Sequence, residues 1–231
     1  MTIPARTVAP PDTPVWRVGR GDRPWSFPDW RYATRGRFPH RWDDPDGQYR
    51  VVYGATTRVG AFVEALQEFR PTSHLAGQLD ELGPADAIAP GTLSQSWLGP
   101  RSIASAILTG SFADVQRHDW IAYLHKQLLS QLAGWGVGEL DGAVLRSTAT
   151  RAITQAASRL VYEASLADGS GAPAFAGVAY ESRFGSDIAC WAVFEYADLT
   201  KAPFTQVSLD QLQPDDPDLI DACAILGIRY P

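Results

Sequence analysis

Two side chains in the first third of the sequence are of types that bind polar ligands, and their spacing can bring them together. Tyr53 lies near the end of a β-rich run, residues 49–55, and Glu64 lies in a helix predicted to begin at Thr56 or Thr57. A strand that leads directly into a helix places both side chains beside the intervening turn, where they can border one crevice. Local sequence alone favours simpler interpretations, in which Glu64 is a solvated helix residue and Tyr53 is a core aromatic.

Two arginines near the N-terminus have different surroundings. Arg17 lies between hydrophobic neighbours in a short predicted strand, and a strand can hold a guanidinium rigidly toward a phosphate group. The alternative is an arginine that packs along the surface with its charge in solvent. Arg37 precedes the acidic Asp43-Asp44 turn, and local sequence alone makes it a surface charge.

The helix that carries Glu64 has a clear apolar stripe. A threonine at its start can accept hydrogen bonds from the free N–H groups of the first turn. Its apolar residues follow the three-and-four spacing of a buried helix face: Val59, Phe62, Val63, Leu66 and Phe69. Glu64 falls off this stripe, so its carboxylate is not predicted to enter the core.

The remaining elements are mixed in order along the chain. Strands are predicted at residues 15–18, 103–108, 142–145, 175–180, 189–194 and 205–207, and helices at residues 114–132, 147–165 and 216–226. Because these elements show no regular strand-helix-strand alternation, they predict an α+β fold with a mixed, twisted sheet flanked by helices. A Gly-Val-Gly at residues 136–138 lacks the preceding strand and the third glycine of a Rossmann nucleotide site.

The sequence also predicts how the chain is divided. Residues 1–14 are rich in Pro and Thr and are predicted to be a flexible arm, and residues 15–231 are predicted to be one domain. Residues 71–101 have Gly and Pro breakers and little periodicity, so they are predicted to be a loop-rich insertion. Trp25, Phe27, Trp30 and Tyr32 follow one another in an irregular segment and are predicted to cover the core, with stacking on a flat ligand as the alternative.

Composition limits the classes of partner. The formal charge of −6 disfavours direct nucleic-acid binding, because phosphate backbones are held by many Lys and Arg residues. No run of eighteen apolar residues and no apolar leader occurs, so a cytoplasmic protein without membrane contact is expected. Cys190 and Cys223 form no metal-ligand pattern and are predicted to be buried free thiols in a reducing compartment.

Six short motifs carry a resemblance to a known family. They are Trp16-Arg17-Val18, Gly36-Arg37-Phe38, Val51-Val52-Tyr53, Ala61-Phe62-Val63-Glu64, and residues 177–184 and 190–195. Their order and separations over residues 15–195 resemble the RES domain family, which is named for Arg, Glu and Ser positions that its members share. Each motif is weak alone, but the ordered set is specific.

The resemblance implies a fold like that of the ADP-ribosyltransferase toxins, with an NAD pocket in the cleft of the sheet. It implies an enzyme that consumes NAD as a substrate, by hydrolysis, phosphorolysis or ADP-ribosyl transfer, and needs no metal or separate cofactor. Family members act as toxins of bacterial toxin-antitoxin pairs, so the resemblance also implies an antitoxin partner and a homodimer.

The resemblance also assigns roles to five residues. Glu64 and Arg17 are the predicted catalytic residues, and Arg17, Arg37, Tyr53 and Ser182 are the predicted NAD-binding residues. Glu64 would offset positive charge on the ribose, the arginines would pair with the pyrophosphate, and Tyr53 would stack on nicotinamide. Ser182 would hydrogen-bond the ribose or the carboxamide, although local sequence alone favours a turn residue.

A second hypothesis from another class stays open. The chain could be a catalytically silent RES-like module that binds a nucleotide or a protein without turnover. The combination of Arg17, Tyr53, Glu64 and Ser182 favours the enzyme, because a silent module does not need that set.

Overall fold

The fold is built on one mixed sheet. The computed structural model describes residues 3–4, 7–71, 91–147, 149–197 and 201–230. Within them the sheet has eight strands in the order β1-β5-β6-β7-β3-β2-β4-β8. The strands are β1 (Thr7–Val8), β2 (Val15–Arg20), β3 (Val51–Ala55), β4 (Arg101–Leu108), β5 (Phe112–Asp114), β6 (Gly177–Ser182), β7 (Gly185–Phe194) and β8 (Phe204–Gln211).

The described residues also form five α-helices. These are α1 (Arg58–Leu66), α2 (His118–Leu132), α3 (Gly142–Arg146), α4 (Arg151–Tyr162) and α5 (Pro217–Leu226). Strands β5 and β6 are parallel, and the other neighbouring strands pair antiparallel. A mixed sheet combined with these helices confirms the predicted α+β class.

Helix α1 begins and packs as its sequence pattern predicts. The side chain of Thr57 accepts a hydrogen bond from the Gly60 N–H at 3.0 Å, which caps the first turn. Phe62, Val63 and Leu66 are fully buried, whereas Glu64 is half-buried. The helix therefore presents its carboxylate on a different side from its core residues.

An arginine at the start of α1 ties this helix to α5. Arg58 donates from Nε to Asp218 Oδ2 at 2.9 Å and also pairs with Asp216, the N-cap residue of α5. The Arg58 guanidinium lies 5.1 Å from the Trp16 ring centroid on β2. These contacts fix the angle at which α1 leaves the sheet, and with it the position of Glu64.

Hydrophobic residues pack on both faces of the sheet. Neighbouring residues of β3, Val51 and Val52, belong to two different buried clusters, as alternation along a strand requires. The larger cluster includes Trp42, Phe62 and Trp120, and the smaller cluster includes Trp25 and Trp191. Strand β3 lies between β2 and β7, so it is held rigidly in the middle of the sheet.

One predicted strand is wrong. Residues 142–145 form part of α3, whose first turn is capped by Asp141 accepting from the Val144 N–H at 2.7 Å. A four-residue apolar run has too little length to show a helical period, so the strand pattern was not distinctive. The cap was the better signal, because aspartate is a favoured N-cap residue.

Two predicted helices have different boundaries in the structure. The helix predicted from residue 114 begins at His118, because Phe112–Asp114 forms β5 beside β6. The helix predicted over residues 147–165 spans Arg151–Tyr162. The predicted hairpin is confirmed, since β6 and β7 pair antiparallel.

The two segments predicted to lack regular structure are partly ordered into the fold. Thr7–Val8, within the predicted arm, pairs with β5 and forms an edge of the sheet. Residues 72–90 of the predicted insertion lie outside the described residues. Its remaining part contributes Leu93, Trp97 and Leu98 to the core.

The aromatic segment before β3 is divided between core and surface. Trp25 is buried and Phe27 packs on Phe204, as the prediction of core cover requires. Trp30 and Tyr32 are exposed, against that prediction.

Two further sequence predictions can be compared with the described residues. Cys190 and Cys223 are free and buried, as predicted. Among the described helices, none combines the length and the apolar character that crossing a membrane requires.

Candidate functional site

A cavity of about 510 Å³ lies between β2, β3, α1 and the segment that precedes β3. Its wall contains three predicted site residues, Arg17, Tyr53 and Glu64. The other charged and aromatic residues of the wall are Trp16, Phe38, His40, Arg41, Asp43, Glu68, Arg151 and Tyr180. The volume is in the range of small-molecule sites, and the wall combines aromatic rings with both signs of charge.

Arg17 holds two chain segments together at the cavity. Its Nε donates to the Pro24 carbonyl at 2.7 Å, and its Nη1 donates to the Tyr53 carbonyl at 2.7 Å. Burial lowers the pKa of the Arg17 guanidinium, while Tyr53 and Asp43 nearby oppose that change. An arginine still carries its proton at neutral pH, so Arg17 brings a positive charge into the wall as well as two structural hydrogen bonds.

Tyr53 is held at its hydroxyl by a buried carboxyl group. The Tyr53 hydroxyl donates to Asp43 Oδ1 at 2.8 Å and accepts from the Trp42 N–H at 3.1 Å. The other Asp43 oxygen accepts from the His40 N–H at 2.7 Å. Burial raises the pKa of Asp43 and of Tyr53. The tyrosine ring is therefore fixed within the wall, with its polar end already satisfied.

Glu64 is oriented by Ser182. The Ser182 hydroxyl donates to Glu64 Oε1 at 2.6 Å, and Ser182 Oγ in turn accepts from the Phe184 N–H at 3.2 Å. Ser182 is 1% exposed and lies at the end of β6. A carboxylate can accept about four hydrogen bonds, so this one orients Glu64 and leaves it able to accept others.

Two further arginines face the cavity. Arg41 donates from Nη2 to the Leu145 carbonyl at 2.6 Å, and its guanidinium lies 4.9 Å from the centroid of the Tyr180 ring. Its Nε is buried and has no hydrogen-bond partner among the described residues. Arg151, the first residue of α4, donates from Nη1 to the Pro39 carbonyl at 2.7 Å. Both side chains keep further donors that a ligand can use.

A family model for the RES domain matches residues 14–210 of this chain. The chain belongs to the RES domain family. No curated protein and no solved structure matches it. The predicted likeness to the ADP-ribosyltransferase toxin fold therefore stays a prediction, beyond the α+β class that the sheet and helices establish.

Two of the predicted site residues of this RES domain do not line the cavity. Arg37 is exposed, pairs through its backbone with Thr34, and lies outside the wall, although the next residue, Phe38, is part of the wall. Its predicted role in binding stays a prediction. Ser182 also lies outside the wall, and its connection with the site is the hydrogen bond to Glu64.

Several wall residues were not predicted from the sequence. Asp43 belongs to a segment interpreted as an acidic turn, and no role was predicted for His40 and Arg41 just before it. The buried Tyr53–Asp43 hydrogen bond gives no sequence signal. Arg151 reaches the wall from α4, at 112 residues from its partner Pro39. Such a long separation leaves no local pattern to detect.

The arrangement suits an organic ligand that carries both anionic and electron-poor groups. Arg41 and Arg151 can pair with phosphate oxygens, aromatic rings can stack on a flat group, and Glu64 can accept from hydroxyls or offset positive charge. Within the described residues, no group of three or more His, Cys, Asp or Glu side chains could hold a metal ion.

Proposed function

We propose that this RES domain consumes NAD by cleaving the bond between nicotinamide and ribose. The observation that carries the proposal is the position of Glu64, a carboxylate oriented by Ser182 in the wall that also contains Arg17 and Tyr53. These four residues match the family positions that the resemblance connects with NAD.

The chemistry of the bond suits a single oriented carboxylate. Nicotinamide leaves as a neutral ring from a cationic nucleoside, so its departure needs little help from an acid. The barrier lies in the positive charge that develops on the ribose, and a carboxylate offsets that charge most strongly where water is excluded. Glu64 is half-buried and supplies this charge, while Ser182 keeps it in place.

Binding of the pyrophosphate belongs, in this proposal, to Arg41 and Arg151. Each charge-assisted hydrogen bond contributes about 1.5 to 3 kcal/mol, which is enough to fix a ligand but not to break its glycosidic bond. Arg17 already donates to two carbonyls, so it contributes positive charge and a rigid wall. Tyr53 offers its ring for stacking on nicotinamide, because its hydroxyl is held by Asp43.

The test is to incubate the purified protein with NAD, with and without inorganic phosphate, and to follow free nicotinamide by chromatography. Glu64→Gln keeps the size of the side chain and removes its charge, so it should abolish most of the release. Glu139→Gln is the matched control, because Glu139 is exposed and lies outside the cavity wall. Release that requires phosphate would indicate phosphorolysis, and release without phosphate would indicate hydrolysis.

Two results would contradict the proposal. Equal nicotinamide release by the parent and by Glu64→Gln would remove Glu64 from the chemistry. NAD binding without release, also in the presence of a cell extract as a source of acceptors, would favour the silent nucleotide-binding module.

The same activity would make the protein a toxin, and we propose that a small antitoxin covers the cavity in a two-gene pair. Expression of the parent should then slow the growth of a bacterial host, and Glu64→Gln should relieve it. Equal growth inhibition by both chains, at equal protein levels, would argue against toxicity through NAD cleavage.

A further inference from the structure

A second cleft, of about 490 Å³, shares Ser182 with the Glu64 site. It is lined by the end of α3 and by the turn between β6 and β7, and it contains none of the cavity residues Arg17, Tyr53, Glu64 or Arg151. We propose that this cleft binds a phosphate group, either inorganic phosphate or a phosphomonoester.

The charged side chains of the cleft lining are both arginines, Arg146 and Arg183. Arg146 pairs with Glu181 at 2.9 Å, and both side chains are about 40% exposed, so solvent weakens this pair and most of the guanidinium fork can still donate. Glu181 and Asp187, which packs against Gly185, lie outside the described lining. The lining residues themselves carry two positive charges and no negative charge, and the Glu181 and Asp187 carboxylates lie beside them.

The surroundings of Arg183 add to this positive potential. Burial lowers the pKa of the Arg183 guanidinium, and the negative charge of Glu64 opposes that change. The positive charges of three nearby arginines lower the pKa of Arg183 further: Arg70, Arg41 and Arg151. Because three arginines and one carboxylate act on Arg183, an anion bound there is attracted by more than one residue. Arg183 and Arg70 also lie over the Phe184 ring, at 4.5 and 5.1 Å from its centroid, which limits their movement.

Hydroxyl groups complete the donor set. Ser182 has one proton, which it gives to Glu64, so it does not donate to a ligand in the cleft. Ser147 accepts from the Ala149 N–H and its hydroxyl can also donate, and Ser186 is an exposed residue of the lining. A guanidinium has five N–H donors, so Arg146 and Arg183 can donate to a phosphate group in addition to the contacts that they already make. Together with two hydroxyls they suit an ion with several acceptor oxygens.

The number of cations decides against a longer polyanion. Nucleic-acid backbones are held by many Lys and Arg contacts, and this cleft has two arginines in a chain with a formal charge of −6. The proposal does not rest on NAD cleavage, because the cleft and the cavity have different lining residues. Binding of phosphate can be measured when no NAD is present.

The test is isothermal titration calorimetry of the whole protein with inorganic phosphate and, separately, with phenyl phosphate, at constant ionic strength set with chloride. Both Arg146→Gln and Arg183→Gln should weaken binding about tenfold or more, because each removes charge-assisted hydrogen bonds. Arg183→Lys should bind with intermediate affinity, since it keeps the charge and loses the planar fork. The two titrants separate the sources, because a preference for phenyl phosphate identifies a monoester and equal binding identifies the phosphate group alone.

Two variants make the result decisive. Arg229→Gln, at an exposed arginine outside both lined sites, should bind like the parent. Arg151→Gln tests whether phosphate binds in the Glu64 cavity instead of the cleft. If it weakened binding more than Arg146→Gln and Arg183→Gln do, phosphate would be bound in the cavity and the proposal would be overturned. If neither titrant bound to the parent, the proposal would also be overturned. Urea unfolding of each variant would show that the variants are folded.

Discussion

The Ser182 hydroxyl donates a hydrogen bond to the Glu64 carboxylate, with 2.6 Å between Oγ and Oε1. The two residues are 118 positions apart and come from β6 and α1. Because Ser182 is buried and is itself held by the Phe184 N–H, its position does not depend on solvent. The carboxylate in the cavity wall is thus oriented by the sheet rather than by its own helix.

Ser182→Ala should therefore lower kcat for NAD cleavage far more than it changes KM. Misplacing a catalytic group by about 1 Å can reduce the rate by about a hundredfold, and here the substrate-binding residues stay in place. Steady-state nicotinamide release measures both constants. Ser130→Ala, at an exposed serine of α2 outside both lined sites, is the control. An unchanged kcat in Ser182→Ala would show that Glu64 does not need this partner.

Arg17 should contribute to stability as well as to the site. Arg17→Gln leaves at least one buried carbonyl without its donor, so the free energy of unfolding should fall by about 1 to 3 kcal/mol. Urea denaturation measures this, with Arg23→Gln, an exposed neighbour, as the control. Unchanged stability in Arg17→Gln would mean that any loss of activity arises in the cavity alone.

Much of the fold could be predicted because its signals are local. The apolar stripe and threonine cap of α1 predicted this helix and its start, and the β-rich runs predicted β3 and the β6–β7 hairpin. The strand predicted at residues 142–145 was wrong because four residues are too few to distinguish the repeat of a helix from the alternation of a strand.

The candidate site was predicted less completely, because it is formed by contacts between distant segments. Arg17, Tyr53 and Glu64 came from ordered family motifs, and these three line one cavity. Asp43 and Arg151 reach the same wall through a buried hydrogen bond and through packing of α4, which leave no pattern in the sequence. The bond between Ser182 and Glu64 likewise depends on how α1 lies against β6.

Arg151→Gln should raise KM for NAD about tenfold with little change in kcat. Arg151 is exposed at the cavity, so it should contribute binding that is equal in the ground state and in the transition state. The difference from the parent should shrink as salt is added, because exposed charges are screened. Arg229→Gln provides the control, and a fall in kcat at constant KM would place Arg151 in the chemical step.

The two cysteines should be unreactive in the folded protein. Burial raises the pKa of the Cys190 and Cys223 thiols, so little thiolate is present at neutral pH. A chromogenic disulfide reagent should modify neither thiol in buffer and both thiols in urea. Rapid modification of one thiol under native conditions would show that its part of the core opens.

Asp43 should make stability depend on pH in an unusual direction for an aspartate. Burial raises the pKa of Asp43 in the folded chain, whereas in the unfolded chain it returns to about 3.9. The folded state therefore holds the proton more tightly, and unfolding releases it over the range from about 4 up to the raised pKa. The stabilising effect of this group is fully present below about 4 and is lost as the pH rises through that range.

The measurement that isolates this effect is urea unfolding of the parent and of Asp43→Asn at a series of pH values. The free energy of unfolding of the parent, relative to that of Asp43→Asn, should decrease from pH 4 upward and become constant above the raised pKa. Asp46→Asn, at an exposed position in the same segment, should follow the parent at every pH. A difference that increased with pH instead would mean that the hydrogen bonds from Tyr53 and His40 outweigh burial and keep Asp43 ionised.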